Sequence, residues 1–136
     1  MTLMLKATSI YRIAALVFFA LFSQYAQAQG AWVYLGEANV DGQVDHDNIK
    51  VGSSQGSFRA IRMRVDIAPI RFDRVIVHYG NGSAVPISIR SKINPGGQTR
   101  VIDLPGDQRI IESVEFFYER ASGSPSKPKV RLFGLH

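Results

Sequence analysis

Fourteen residues, Asn39 to Gly52 (NVDGQVDHDNIKVG), hold three aspartates, two asparagines and a histidine between apolar flanks. Oxygen ligands at that density raise calcium first. An EF-hand loop places oxygen ligands at positions 1, 3 and 5, a glycine at 6 and a bidentate glutamate at 12. Counted from Asp41, the series runs Gln43, Asp45, His46 and then Gly52, so the turn glycine and the closing acid are both missing. Asp41, Asp45, Asp47 and Asn48 are left as ligands for an irregular calcium site completed from another loop. The competing use is local, because Asp and Asn order turns by bonding nearby backbone N–H groups. On that reading the stretch is a polar loop leading into a strand at 49–51. Gly42 and Gly52 are its flexible ends, and Arg100 or Arg109 pairs with Asp45 or Asp47 to pin it to the sheet.

The remaining chemistry is sparser. His46, His78 and His136 have no second histidine at ligand spacing, and His78 alternates with Arg74 and Ile76 as an outward-facing strand residue. Gly52 to Gly56 (GSSQG) matches the nucleophile elbow with Ser54 as nucleophile, but that motif needs a helix to follow, and SFRAIRMRV reads as a strand. Asp103, Asp107, Glu112 and Glu115 could serve a glycosidase only as a pair about 5 Å or about 6.5–9.5 Å apart. Their ordinary use is in ion pairs with Arg100 and Arg109. A small hydrolase therefore requires two of Asp45, Asp47, Asp103, Glu112 and Glu115, or His46 with a carboxylate, to converge in one cleft. The chain has no cysteine, which excludes disulfides, thiolate catalysis and cysteine–metal sites.

Arg62, Arg64, Arg90, Lys92 and Arg131 point away from the inferred core. If their strands share a sheet, they form a basic face beside Trp32. Such a face suits an anionic glycan or a lipid head group. RNA-binding sheets need exposed aromatics for base stacking, and an exported chain meets no nucleic acid. Outward arginines clustered beside an exposed Trp32, Phe117 or Tyr118 would favour binding. Scattered arginines and buried rings would favour a structural role.

Export is read from the N-terminus. Lys6 and Arg12 precede an apolar run, Ile13 to Phe22, and Ala26-Gln27-Ala28 gives the small-x-small pattern of signal cleavage. The run is too short to span a bilayer, which takes about 20 apolar residues. Residues 1–28 are thus expected to be a signal peptide and 29–136 a single domain in the periplasm or outside the cell, with no transmembrane segment after cleavage. Of the 136 residues, removing 28 leaves 108, enough for one core without covalent staples. Removing Lys6 and Arg12 takes the 16 basic residues to 14 against 11 acidic ones, a formal charge of +3. Ten of those 14 are arginine, the residue suited to planar, bidentate contacts with carboxylate or phosphate.

Period-two alternation dominates this mature part. In FRAIRMRVDI, Ile61, Met63, Val65 and Ile67 share one face, opposite Arg62, Arg64 and Asp66. In AVPISIRSKI, Val85, Ile87, Ile89 and Ile93 oppose Ser88, Arg90 and Lys92. In RIIESVEFFYER, Val114, Phe116 and Tyr118 share a face while Phe117 makes the other face apolar too, which places this strand centrally. AWVYLGEA opens the sheet and KVRLFGLH closes it. Turn signals at short intervals, including the Ser/Pro-rich 122–128, predict seven or eight strands in one antiparallel, jelly-roll-like β-sandwich. For VIVHYGNGSAVPISI, a two-residue Asn81-Gly82 loop would put Val75 and Val77 on the face away from Val85 and Ile87. A three-residue loop, Gly80-Asn81-Gly82 with Gly82 left-handed, pairs Val77 with Val85 and Val75 with Ile87, as one core face requires.

WVYLG, VDGQVDHDNIKVG, GSFRAIRMRV, TRVIDLPGDQRIIESVEFFY and VRLFG together resemble a family of small exported bacterial proteins of unknown function, of which the enterobacterial YaaI-like proteins would be distant members. The resemblance covers nearly all of 32–134 and is carried most by the Val-Asp-x-Asp segment and by Arg100 to Gly106. It implies a periplasmic or secreted β-protein and imports no activity, cofactor or catalytic residue. The sequence thus predicts a non-enzymatic envelope protein with a structural or protein-interaction role and no cofactor. The alternatives are a module for a glycan or other anionic envelope component, and a small hydrolase working through paired carboxylates.

Overall fold

The computed structural model describes residues 30–41, 44–120 and 126–136. The leader at 1–28, Gly42, the side chain of Asp45 and part of the Ser/Pro-rich stretch lie outside the described residues. Alternating apolar and polar residues build strands β1 (Trp32–Asn39), β2 (Val44–Lys50), β3 (Ser57–Phe58), β4 (Ala60–Asp66), β5 (Ile70–Tyr79), β6 (Ala84–Ile93), β7 (Ile102–Asp103), β8 (Arg109–Arg120) and β9 (Lys129–Leu135). Among the described residues a single 3-10 turn, Ser53–Gln55, interrupts them.

The strands form two antiparallel sheets, in the order β1-β9-β4-β7 and β2-β8-β5-β6, with β3 attached to β8. Setting β3 aside, β1 pairs with β9, β2 with β8, β4 with β7 and β5 with β6, as in one long hairpin. Rolling that hairpin brings β9 against β4 and β8 against β5. This is the jelly-roll arrangement of a β-sandwich, as the strand pattern predicts. Strand β8 is central in its sheet, also as predicted.

The hairpin follows the longer-loop register. Val77 lies opposite Val85 and Val75 opposite Ile87. The Tyr79 amide donates to the Ser83 carbonyl across Gly80-Asn81-Gly82, and Gly82 has φ 87. Here the demand for one apolar face decided the turn.

Two expectations are corrected. The polar segment after Gly42 is a strand, β2, that begins at Val44 and pairs with β8 from Val44↔Glu119 to Lys50↔Ser113. Aspartate and asparagine are poor strand formers, but β-propensity yields to cross-strand packing, and β8 supplies a partner along the whole segment. Ile67 does not extend the core stripe of β4. Ile61, Met63 and Val65 are fully buried, whereas Ile67 is 59% exposed. It has φ 76, in a tight turn closed by the Ala68 amide on the Asp66 carbonyl. The strand ends one residue earlier than the periodicity implies because the chain must turn there toward the other sheet.

The core lies between the sheets, and its largest fully buried side chains include Phe58, Phe72, Phe116, Ile61 and Met63. Gly134, on the inner face of β9, is where Phe58 and Leu35 close over the backbone. A Cβ there would stand 2.6 Å from Phe58 Cδ1 and 2.8 Å from Leu35 Cδ1. Gly134→Ala should therefore overpack the core and cost about 1–3 kcal/mol. A lowered thermal midpoint for this variant is the expected outcome, and an unchanged midpoint would refute this account of the packing.

Candidate functional site

The outer face of the β2-β8-β5-β6 sheet carries a groove of about 620 Å³. Its position follows from an irregularity in β5. Between Phe72 and Arg74 the register shifts against both neighbours. Against β8 Asp73 is the extra residue, and against β6 the extra residue lies on β6, where Ile89 and Arg90 both fall opposite Asp73. Bulges bend a strand and re-aim its side chains. On the facing edge strand Arg90 takes φ 48, a left-handed conformation seldom adopted by residues other than glycine. Arg71, Arg74 and Arg90 then line one groove, with Asp73 and Glu119 as its acids and Phe117 and His46 along one side.

Phe117 does not offer a bare ring. From β5, the Arg74 guanidinium lies 3.9 Å from its centroid, and from β2 the His46 ring stacks on it at 5.1 Å. The aromatic thus holds Arg74 in place, as cation–π pairing does. Arg74 is also paired with Asp73, at 3.1 Å. Among the described residues no carboxylate comes within ion-pair distance of Arg71 or Arg90, so the groove keeps unpaired positive charge.

Beside the groove, Glu115 on β8 lies between two imidazoles. His46 Nε2 is 3.4 Å from one of its oxygens and His78 Nε2 is 3.4 Å from the other. Both histidines and Glu115 share a neighbouring recess with Asn48, Glu112 and Ser113. Asp103 and Asp107 line a different recess, near Arg59 and Leu104. Ser54 sits exposed on the 3-10 turn, which leads into β3 rather than a helix.

The aspartates of the opening stretch are placed differently from the loop expectation. Asp47 accepts a hydrogen bond from the Tyr118 hydroxyl at 2.8 Å, and Asp41 pairs with Lys127 at 2.9 Å. Asn48 is exposed on β2. Neither predicted arginine pins Asp47, and the Asp45 side chain lies outside the described residues. Arg100 donates to the Ser88 carbonyl, and Arg109 to the Pro105 carbonyl and the Ser83 hydroxyl. Among the described residues no three histidine or carboxylate side chains are grouped to hold a metal ion.

The predicted basic face is divided. Arg62 and Arg64 belong to β4, and Arg90 and Lys92 to β6, so the two pairs lie on opposite outer faces of the sandwich. On the β1-β9-β4 face, Arg131 bridges Glu37 and Asp66, Lys129 pairs with Glu37, and Arg64 pairs with Asp66. The Glu37 carboxyl is held below the ordinary carboxylate range, first by the Tyr34 hydroxyl and then by Lys129. Arg62 instead stands 4.2 Å from the Trp32 ring centroid. Of the predicted binding residues, then, only Arg90 lines the groove. Arg71 and Arg74 were missed. The outward alternation of Arg74, Ile76 and His78 beside an outward Phe117 was the available signal for Arg74. Arg71 alternates outward between Ile70 and Phe72, but the bulge that sets both on one face leaves no periodic trace.

The sequence family described as a domain of unknown function (DUF2541) matches residues 13–134. No curated protein matches the chain. Among solved structures it is similar to AlgX of Pseudomonas aeruginosa, with TM-score 0.46 and 15% identity over 76% of this chain but only 26% of that one. It is also similar to the SPBc2 prophage-derived protein YomS, with TM-score 0.42 and 11% identity over 78% of this chain and 96% of that one. A point mutant of CBM29-2, a family 29 carbohydrate binding module, gives TM-score 0.36 and 13% identity, over 77% and 89% of the two chains.

The Tyr118–Asp47 contact ties edge strand β2 to the central strand β8. Removing one partner of a part-buried, charge-assisted hydrogen bond costs about 1–3 kcal/mol. Asp47→Ala should lower the thermal midpoint by the same amount with calcium as with a chelator. A chelator that destabilises the wild type but not Asp47→Ala would show a metal site instead.

Proposed function

The chain belongs to the DUF2541 family, whose description leaves function open, and from that premise we propose that it is a non-enzymatic, exported module that binds an acidic glycan of the bacterial envelope. The observation that carries this reading is the groove where Arg71, Arg74 and Arg90 meet without enough carboxylate to neutralise them. Arginine forks match carboxylate and phosphate oxygens, and a held guanidinium loses less entropy on binding than a free one. The clamped Phe117 supports the binding reading over a purely structural one, since it orders a cation at the rim of an open cleft.

A hydrolase draws less support. Both oxygens of Glu115 are turned to the imidazoles of His46 and His78, which leaves that carboxylate paired rather than aimed into the groove. Export is supported by the leader pattern at 1–28, and an anionic glycan is a ligand that such a compartment supplies.

Calorimetric titration of the protein with an oligogalacturonate and with a neutral maltooligosaccharide tests the reading. The acidic chain should bind, more weakly as salt rises because the contacts are exposed, and the neutral chain should not. Arg71→Ala should weaken binding by about tenfold or more, the equivalent of one charge-assisted contact. Arg90→Gly should hold or raise the thermal midpoint, since glycine adopts the left-handed backbone without steric cost, while weakening binding to a similar degree. Equal affinity for acidic and neutral chains would refute the proposal.

A further inference from the structure

We propose that the loop end of the sandwich beside Arg109 is a second binding site, for a monosaccharide that carries an oxyanion, either carboxylate or phosphate. A recess of about 450 Å³ opens there between the β5–β6 turn, the β7–β8 loop and the 3-10 turn. That volume is within the range of small-ligand sites, roughly 300–1,000 Å³. None of its lining residues belongs to the arginine groove. Tyr79 lies five residues along β5 from Arg74, roughly 17 Å away at the rise of an extended strand.

Arg109 is fixed in this recess before any ligand arrives. Its guanidinium lies 3.8 Å from the centroid of the Tyr79 ring. Nη1 donates to the Pro105 carbonyl at 3.1 Å and Nη2 to the Ser83 hydroxyl at 3.2 Å. Gly106 makes the room, because a Cβ there would stand 3.2 Å from both Cδ and Nη1 of Arg109. Among the described residues no carboxylate pairs with Arg109. A guanidinium carries five N–H groups, so donors remain for an anion.

The second observation is Tyr79. Its side chain is 3% exposed, and its hydroxyl is buried without a hydrogen-bond partner. Burial pushes its pKa up, with Arg109 opposing that shift. Buried polar groups are rarely left unbonded, and each such group needs an account. Tyr79 lines the recess, and a ligand oxygen that reaches the hydroxyl through a small shift of the side chains closing over it supplies one.

The other linings match the same chemistry. The Asn81 amide oxygen accepts from the Ser83 amide and hydroxyl, and the Gln108 amide oxygen accepts from the Ser57 hydroxyl. Their NH₂ groups are left as donors. Ile110, 42% exposed, forms an apolar wall against which a sugar's C–H face can rest. A donor-rich recess with one fixed cation and one apolar wall fits an acidic sugar ring better than a neutral one.

The test is an NMR titration of the labelled protein with galacturonate, galactose 6-phosphate and galactose. Saturable shifts of the Asn81 and Gln108 side-chain amides are expected with an acidic sugar and not with galactose. A response to galacturonate alone assigns a carboxylate ligand, and a response to the phosphate alone assigns a phosphate. Arg71→Ala should leave these shifts intact, which separates this site from the groove. Tyr79→Phe should keep the thermal midpoint, since it removes only an unbonded hydroxyl, and should weaken the acidic sugar by about tenfold. Silence from both acidic sugars, an equal response to galactose, or unchanged affinity in Tyr79→Phe would each overturn the proposal.

Discussion

The pairing of β8 with both β2 and β5 is the constraint on which the rest of this structure depends. Side chains on a strand alternate faces, so fixing β8 fixes what goes inward and what goes outward together. Phe116 turns in, 6.0 Å from Phe72 and 5.6 Å from Tyr118 between ring centroids. Phe117 turns out to meet His46 and Arg74. A slip of one residue would put Phe117 in the core, and would put Glu115 there too, a carboxylate without a partner. Burying such a charge costs far more than the slip could return, so the register is held from both sides of the sheet. The core and the groove are thus two consequences of one alignment.

Net charge is a poor guide to where this molecule can bind an anion. On the β1-β9-β4 face, Arg64, Lys129 and Arg131 are matched by Glu37 and Asp66. Such exposed pairs add little stability, but they cancel the local field. Across the sandwich the count of arginines is similar and the pairing is not. Arg71 and Arg90 lack acid partners among the described residues, and the bulge at Asp73 brings them to the same cleft. The informative quantity is the unpaired charge within one cleft, which a sequence-wide sum averages away.

The same distinction explains how much of the protein was legible in its sequence. The sandwich, the central place of β8 and the turn at Gly80-Asn81-Gly82 all follow from alternation, because burial enforces it residue by residue. Strand β2 was hidden because its polar residues satisfy a turn rule as well as a strand rule, and only the presence of β8 decides between them. The split of Arg62 and Arg64 from Arg90 and Lys92 was not readable at all. Alternation says that a residue faces outward, and only the strand order says from which sheet. Arg71 and Arg74 came to share the groove through a register shift between them, an event that periodicity treats as noise.

The groove and the loop-end recess share a further property. Each is built around a feature that the local rules of folding disfavour. Arg90 holds a left-handed backbone that glycine would adopt more readily, and Tyr79 buries a hydroxyl with nothing to bond. Strain of this kind is kept only where the surrounding structure over-determines it. Departures of this sort also occur at Ile67, Asp107 and Arg62, so they point to a functional position only where a cleft adjoins them. What the fold loses in local comfort at Arg90 it retains as a donor already in place, and preformed donors are what a small module needs to hold an anionic ligand in water.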